Sequence, residues 1–114
     1  MAVKKTIPTK SELKFYQQVA NEKFAGRDID ASVALRQMGV NAQFCVGLRK
    51  VVVVENRMVG KILGRDWLVV SVNFLDLYDA SVYSFSGKLK AKLTDIYFDH
   101  LGEAVVDLAD QVSV

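Results

Sequence analysis

Apolar positions follow one period in the first third of the chain and another in the middle, and the change near Phe44 divides the molecule. Thr9-Lys10-Ser11-Glu12 matches a capping box, in which the Thr9 hydroxyl and the Glu12 carboxylate each take a backbone N–H left free by the first helical turn. Leu13, Tyr16, Val19, Ala20 and Phe24 keep helical spacing, so a helix is predicted from there to Ala25, with Gly26 as its terminator. Asp28 or Asp30 can cap a second, shorter helix that turns Ala31, Ala34, Leu35 and Met38 inward and ends at Gly39. Beyond Phe44, the segments Val51 to Val54, Met58 to Leu63, Trp67 to Phe74 and Ser81 to Phe85 are rich in β-branched and aromatic residues. The turns between them are too short for parallel crossovers, so antiparallel pairing is predicted. Val70, Val72 and Phe74 alternate with Val69, Ser71 and Asn73, which suggests one packed face and one partly wet face. After Gly87, the positions Leu89, Leu93, Ile96, Tyr97, Leu101, Ala104, Val105, Leu108 and Val112 fit one broad helical stripe. Gly102 inside that stripe predicts either a bend or the close approach of a neighbouring backbone.

These elements define an α+β fold: two N-terminal helices, an antiparallel β-meander of three to four strands, and a long C-terminal amphipathic helix packed on the sheet. Residues 1–8 read as a flexible basic arm ending at Pro8, and residues 9–114 as a single domain. A chain of 114 residues, 51% hydrophobic and 25% charged, can bury one core without disulfides or metal. No apolar run approaches the length of a membrane span, and no apolar stretch follows Lys4 and Lys5 as a secretory signal requires. With Cys45 as the only cysteine, an intramolecular disulfide is excluded and a cytoplasmic setting is expected.

Charge changes the picture, because the formal net charge of +2 hides a division. The chain is net +6 through Leu75 and net −4 from Asp76 onward, a segregation that bears on association rather than on fold. Asp95, Asp99, Glu103 and Asp107 recur every fourth residue with no Lys or Arg after Lys92. On one helix they form an acidic ridge whose neighbours repel by about 0.2–0.5 kcal/mol per pair. The ridge points to a protein-binding surface for a basic partner, and the complementary segments to a homo-oligomer. Nucleic acid is the alternative partner, met by a basic N-terminal third of Lys4, Lys5, Lys10, Lys14, Arg36, Arg49 and Lys50. The stretch from Ala31 to Val52 partly fits a helix-turn-helix, although Leu35 stands where a small residue is usual and Val51 to Val54 reads as strand.

Catalytic chemistry finds little support. His100 is the only histidine and lacks the partners of a zinc site. Cys45, between Phe44 and Val46, reads as a small core residue rather than a nucleophile. Asp76 and Asp79 read as turn residues bonding their own backbone, and Gly60-Lys61-Ile62-Leu63-Gly64-Arg65 lacks the spacing of a phosphate-binding loop. The expectation is a protein that binds and is not an enzyme, with no catalytic residues, cofactor or metal.

Three blocks from Val33 to Ala109 resemble a family of small proteins encoded by bacteriophages and prophages. Val33-Ala34-Leu35-Arg36-Gln37-Met38-Gly39 resembles the family's helix ending in Gln-Leu-Gly, with Phe44 and Gly47 following at similar spacing. The run from Val70 to Val82 is similar to a strand, an Asp-x-Tyr turn and a return strand. Asp95-Ile96-Tyr97-Phe98-Asp99-His100-Leu101 resembles the family's Asp-Val-Tyr-x-Asp-x-Leu opening of its last helix. Gly39-Val40 stands in place of the family's Gly-Gly, and the Thr-Gly-rich ending is absent. The resemblance implies a phage or mobile-element origin, the cytoplasm of a bacterial host, and a β-meander with a terminal helix. It implies no catalytic residue or mechanism.

Overall fold

A computed structural model describes residues 8–24 and 26–113. The expected basic arm, Lys4 and Lys5 included, lies outside the described residues apart from Pro8. Helices α1 (Lys10–Asn21), α2 (Ala31–Met38) and α3 (Val40–Val46) precede a five-stranded antiparallel sheet. Its strands are β1 (Arg49–Val54), β2 (Arg57–Ile62), β3 (Asp66–Val72), β4 (Tyr78–Tyr83) and β5 (Leu89–Ile96), in sequence order across the sheet. A 3₁₀ turn (Phe98–His100) then leads into α4 (Leu101–Val112). The α+β meander with a C-terminal helix packed on it is as the sequence predicts. The strand count is five rather than three to four.

The fifth strand comes out of the predicted C-terminal helix. Leu89, Ala91 and Leu93 alternate with Lys90, Lys92 and Thr94, so the segment satisfies a period of two as well as one of 3.6. Pairing with β4 decides the outcome, with Val82 opposite Ala91, Ser81 opposite Lys92 and Ala80 opposite Leu93. Gly87, at φ 89°, belongs to the β4–β5 turn, where the Ser84 N–H donates to the Lys88 carbonyl at 2.8 Å. The segment after Gly39 also differs from expectation: Val40–Val46 forms α3, with Phe44 in a helix rather than at the start of strand structure.

Sheet residues divide between two cores. Met58, Ile62, Leu68, Val70, Ala80, Val82 and Ile96 are buried with Ala34, Met38, Ala42 and Val46 of α2 and α3 and with Leu101, Val105 and Leu108 of α4. Val59, Trp67 and Val69 are buried on the other face beneath Phe15 and Val19 of α1. The second face is therefore covered rather than merely wet over β2 and β3. Helix α1 turns a different side inward than its pattern suggests: Leu13 is exposed while Glu12, Phe15 and Val19 are buried. The Phe15 ring stacks on Trp67 with centroids 4.6 Å apart and meets Tyr83 edge-on at 5.4 Å, contacts that favour Phe15 over Leu13 as the anchor.

Glu12 completes the predicted capping box, accepting from the Thr9 N–H at 2.9 Å while the Thr9 Oγ1 accepts from the Glu12 N–H at 3.2 Å. Its second oxygen lies 3.4 Å from the Lys50 ammonium and 3.6 Å from that of Lys61. The Thr9 backbone bond, helped by the Thr9 hydroxyl and the two lysines, outweighs burial and lowers the Glu12 pKa below its ordinary value of 4.5. A carboxylate depressed in the fold adds stability that is complete above the unfolded value and is lost as pH falls through the folded one. Glu12→Gln keeps the capping hydrogen bond and removes the charge. It should cost about 1 kcal/mol at neutral pH, with the gap from wild type closing below about pH 4.5. Urea unfolding at pH 7 and pH 3 measures both quantities, and a gap independent of pH contradicts the ionic assignment.

Candidate functional site

The structure breaks the expected acidic ridge and rebuilds part of it. Asp95 lies in β5 with φ at 56°, and its carboxylate accepts from Asn73 Nδ2 at 2.8 Å. The Asp95 N–H donates to Asp79 Oδ1 at 3.0 Å, and Asn73 Nδ2 donates to the same oxygen at 3.0 Å. Asp95 therefore belongs to a polar network that fastens the β3–β4 turn to the end of β5. A strand cannot share a helical ridge, so Asp95 is removed from the set. Asp99 sits in the 3₁₀ turn, while Glu103 and Asp107 lie one turn apart on the exposed side of α4.

Asp99, Glu103 and Asp107 line one wall of a groove of about 520 Å³ between α4 and the α2–α3 pair. The facing wall presents Gln37, Asn41 and Cys45, and the apolar floor is made by Met38, Ala42 and Val106. Gly102 sets the distance between the walls, since a Cβ built there would lie 2.3 Å from the Met38 carbonyl oxygen. The expected close backbone approach is thus present, and its partner is the end of α2. Tyr78, next to this region, donates its hydroxyl proton to Gln37 Oε1 and ties α2 to β4. Burial, with Asp30 nearby, pushes the Tyr78 pKa up and keeps the phenol a donor.

The ion pairs among the described residues are Arg27–Asp76, Lys50–Glu12, Lys61–Glu12 and Lys90–Asp66. None involves the three groove acids. On α3, whose Asn41 and Cys45 face the groove, Val40 and Phe44 occupy the next outward stripe and are 79% and 87% exposed. An acidic wall, a polar wall and an apolar floor thus run beside an exposed phenylalanine. The arrangement offers hydrophobic area and negative potential. Cys45 is exposed and not the core residue its neighbours suggested, because α3 directs Ala42 and Val46 inward instead. No group of three His, Cys, Asp or Glu side chains able to hold a metal occurs among the described residues.

Among the described residues, the expected basic set is divided between the two faces of the sheet. Lys10 and Lys14 are on α1, which covers one face of the sheet, and Arg36 is on α2, which covers the other. Lys50 is drawn to Glu12, and Arg49 donates from Nη2 to the Gly64 carbonyl at 2.9 Å. Helix α3, where a recognition helix would follow α2, contains no Lys or Arg. Asp76 pairs with Arg27 at 2.9 Å, and Asp79 serves the turn network described above.

That Gln37, Asn41 and Cys45 share one wall is not evident from the sequence, because Gly39 ends the predicted second helix. Their four-residue spacing across that glycine was the available signal. Comparison with protein-family models, curated proteins and solved structures finds no match to this chain.

Gly102→Ala tests the spacing of the groove. Alanine gains about 1 kcal/mol of helix propensity over glycine, but its methyl meets a backbone oxygen at 2.3 Å and forces the walls apart, a distortion that costs about 1–3 kcal/mol. Thermal or urea unfolding should show net destabilisation; a more stable variant contradicts the close approach.

Proposed function

We propose that the protein acts by binding, and that the groove between α3 and α4 receives a basic amphipathic segment of a partner protein. The observation that carries this reading is the row Asp99, Glu103 and Asp107, free of ion pairs among the described residues, along an apolar floor. Lys or Arg side chains of the partner would meet the acids, and apolar side chains would enter over Met38, Ala42 and Val106 and against Phe44. Recognition by anchors on one face of a helix or strand is a recurring mode of segment binding. An accessory or inhibitory protein of a phage, the origin that the sequence resemblance implies, would act in the bacterial cytoplasm in this way. Nucleic acid remains the alternative reading, and the scatter of Lys10, Lys14, Arg36, Arg49 and Lys50 over both sides of the sheet favours it less.

The test compares wild type with Asp99→Asn/Glu103→Gln/Asp107→Asn in a pull-down from bacterial lysate, each with and without nuclease. Shape is kept and charge removed. The variant should unfold at the same or slightly higher denaturant, because four-residue repulsion of about 0.2–0.5 kcal/mol per pair is relieved. Binding of the captured protein should weaken about tenfold at low salt, chiefly through slower association, with a smaller difference at high salt. Unchanged affinity and salt dependence, or recovery of nucleic acid alone, contradicts the proposal.

A further inference from the structure

The size of the groove between α4 and the α2–α3 pair distinguishes the two shapes a peptide segment can take. Asp99 and Asp107 stand at its two ends on one wall, about 12 Å apart at the rise of a helix. A volume of about 520 Å³ over that length gives a mean cross-section of roughly 40 Å². An α-helix with its side chains is about 10–12 Å across and needs about twice that section. An extended chain needs about 48 Å², since strands lie about 4.8 Å apart sideways and about 10 Å apart face to face. A helix would rest on the rim, whereas an extended chain reaches the floor.

The α2–α3 wall carries the groups that an extended chain requires. A helix satisfies its own backbone, but an extended segment brings N–H and C=O groups that need partners when they leave water. Gln37 and Asn41 can supply them. The buried Tyr78 hydroxyl donates to Gln37 Oε1, which leaves the Gln37 amide NH₂ as a fixed donor at the groove. Asn41 is exposed on the same wall, and its amide offers both a donor and an acceptor. With its hydrogen-bonding edge against these amides, an extended chain turns alternate side chains down to Met38, Ala42 and Val106 and up to the mouth. The upward set recurs at about 6.6 Å. Glu103 and Asp107, one helical turn apart, recur at about 5–6 Å. Asp99, Glu103 and Asp107 are all exposed and make no ion pair among the described residues. Lys and Arg stems are long enough to bend from the mouth to such carboxylates.

On the reading of this groove as the site of a basic partner segment, on which the inference rests, we propose that the segment binds in extended form with Lys or Arg alternating with apolar residues. Gln37 and Asn41 hold its backbone, the floor takes the apolar side chains, and Asp99, Glu103 and Asp107 take the basic ones. Main-chain hydrogen bonds then give affinity, and the alternating side chains give specificity. A partner helix, whose basic residues would fall three or four apart, is the disfavoured occupant.

Fluorescence anisotropy of the full chain with labelled peptides at low salt tests this. The probes are an alternating lysine–valine heptapeptide, a helix-forming alanine-based peptide of equal charge with its lysines four apart, and the alternating peptide with its central amide replaced by an ester. The alternating peptide should bind about tenfold more tightly than the helical one. The ester loses one N–H donor and weakens one acceptor, and should bind about fivefold less tightly than its parent. Asn41→Ala, at an exposed position, should weaken the alternating peptide by about the same factor and leave the helical one unaffected. Asp99→Asn/Glu103→Gln/Asp107→Asn should weaken both. Tighter binding of the helical peptide, or indifference of the alternating peptide to both the ester and Asn41→Ala, overturns the extended mode and leaves the groove as a binding site. No binding of either peptide, or indifference of both to loss of the three acids, overturns the groove as a site for a basic segment and the extended mode with it. Self-association of the full chain that the alternating peptide reverses would make a second copy the occupant and also overturns the proposal.

Discussion

Strand β3 carries Trp67 and Val69 on one face and Leu68 and Val70 on the other, all of them buried, so a single layer of helices cannot satisfy the meander. Two covers are needed, and the chain supplies them from its two ends. Helix α1 reaches one face through the Phe15–Trp67 stack and the capping box that Glu12 closes. The other face takes α2, α3 and α4 together, because twelve residues of α4 alone are too few to span five strands. Lateral packing of short helices then becomes the limiting contact. Gly102 meets that demand by letting the Met38 carbonyl come where a side chain would otherwise stand.

The groove is a consequence of this packing. Helices that touch at a glycine diverge to either side of the contact, and the space between α3 and α4 is walled by the residues each helix would otherwise show to solvent. On α4 those are carboxylates. Their mutual repulsion is small, a few tenths of a kcal/mol per neighbouring pair, so the fold tolerates them easily and their clustering costs little in stability. All three are exposed along an open groove, so they act on association as surface charges do, most strongly at low ionic strength. A surface that is nearly neutral for folding can therefore have a large effect on association.

The sequence was most legible where local chemistry and packing agree. Thr9 and Glu12 announced the first helix, Asp30 and Gly39 bounded the second, and the valine-rich and aromatic runs marked the first four strands. The residues from Leu89 to Ile96 are ambiguous in sequence, because Leu89, Leu93 and Ile96 satisfy helical spacing while Leu89, Ala91 and Leu93 satisfy strand spacing. Only the open edge of β4, which no local pattern reveals, resolves the two. That ambiguity carries Asp95 into the acidic row. Helix α3 was hidden for a related reason: seven residues are too few to display a period, and its helical state rests on Ala42 and Val46 meeting the core. The other wall of the groove was hidden with it.

The conformation of residues 89–96 is decisive, since it separates a three-acid groove between helices from a four-acid ridge on one long helix. Nuclear Overhauser contacts between backbone protons measure it. The account predicts cross-strand contacts linking Ala80 with Leu93 and Val82 with Ala91, and sequential helical contacts that begin only near Leu101. Helical contacts running unbroken from Leu89 to Val112, with no cross-strand partners on β4, would contradict it.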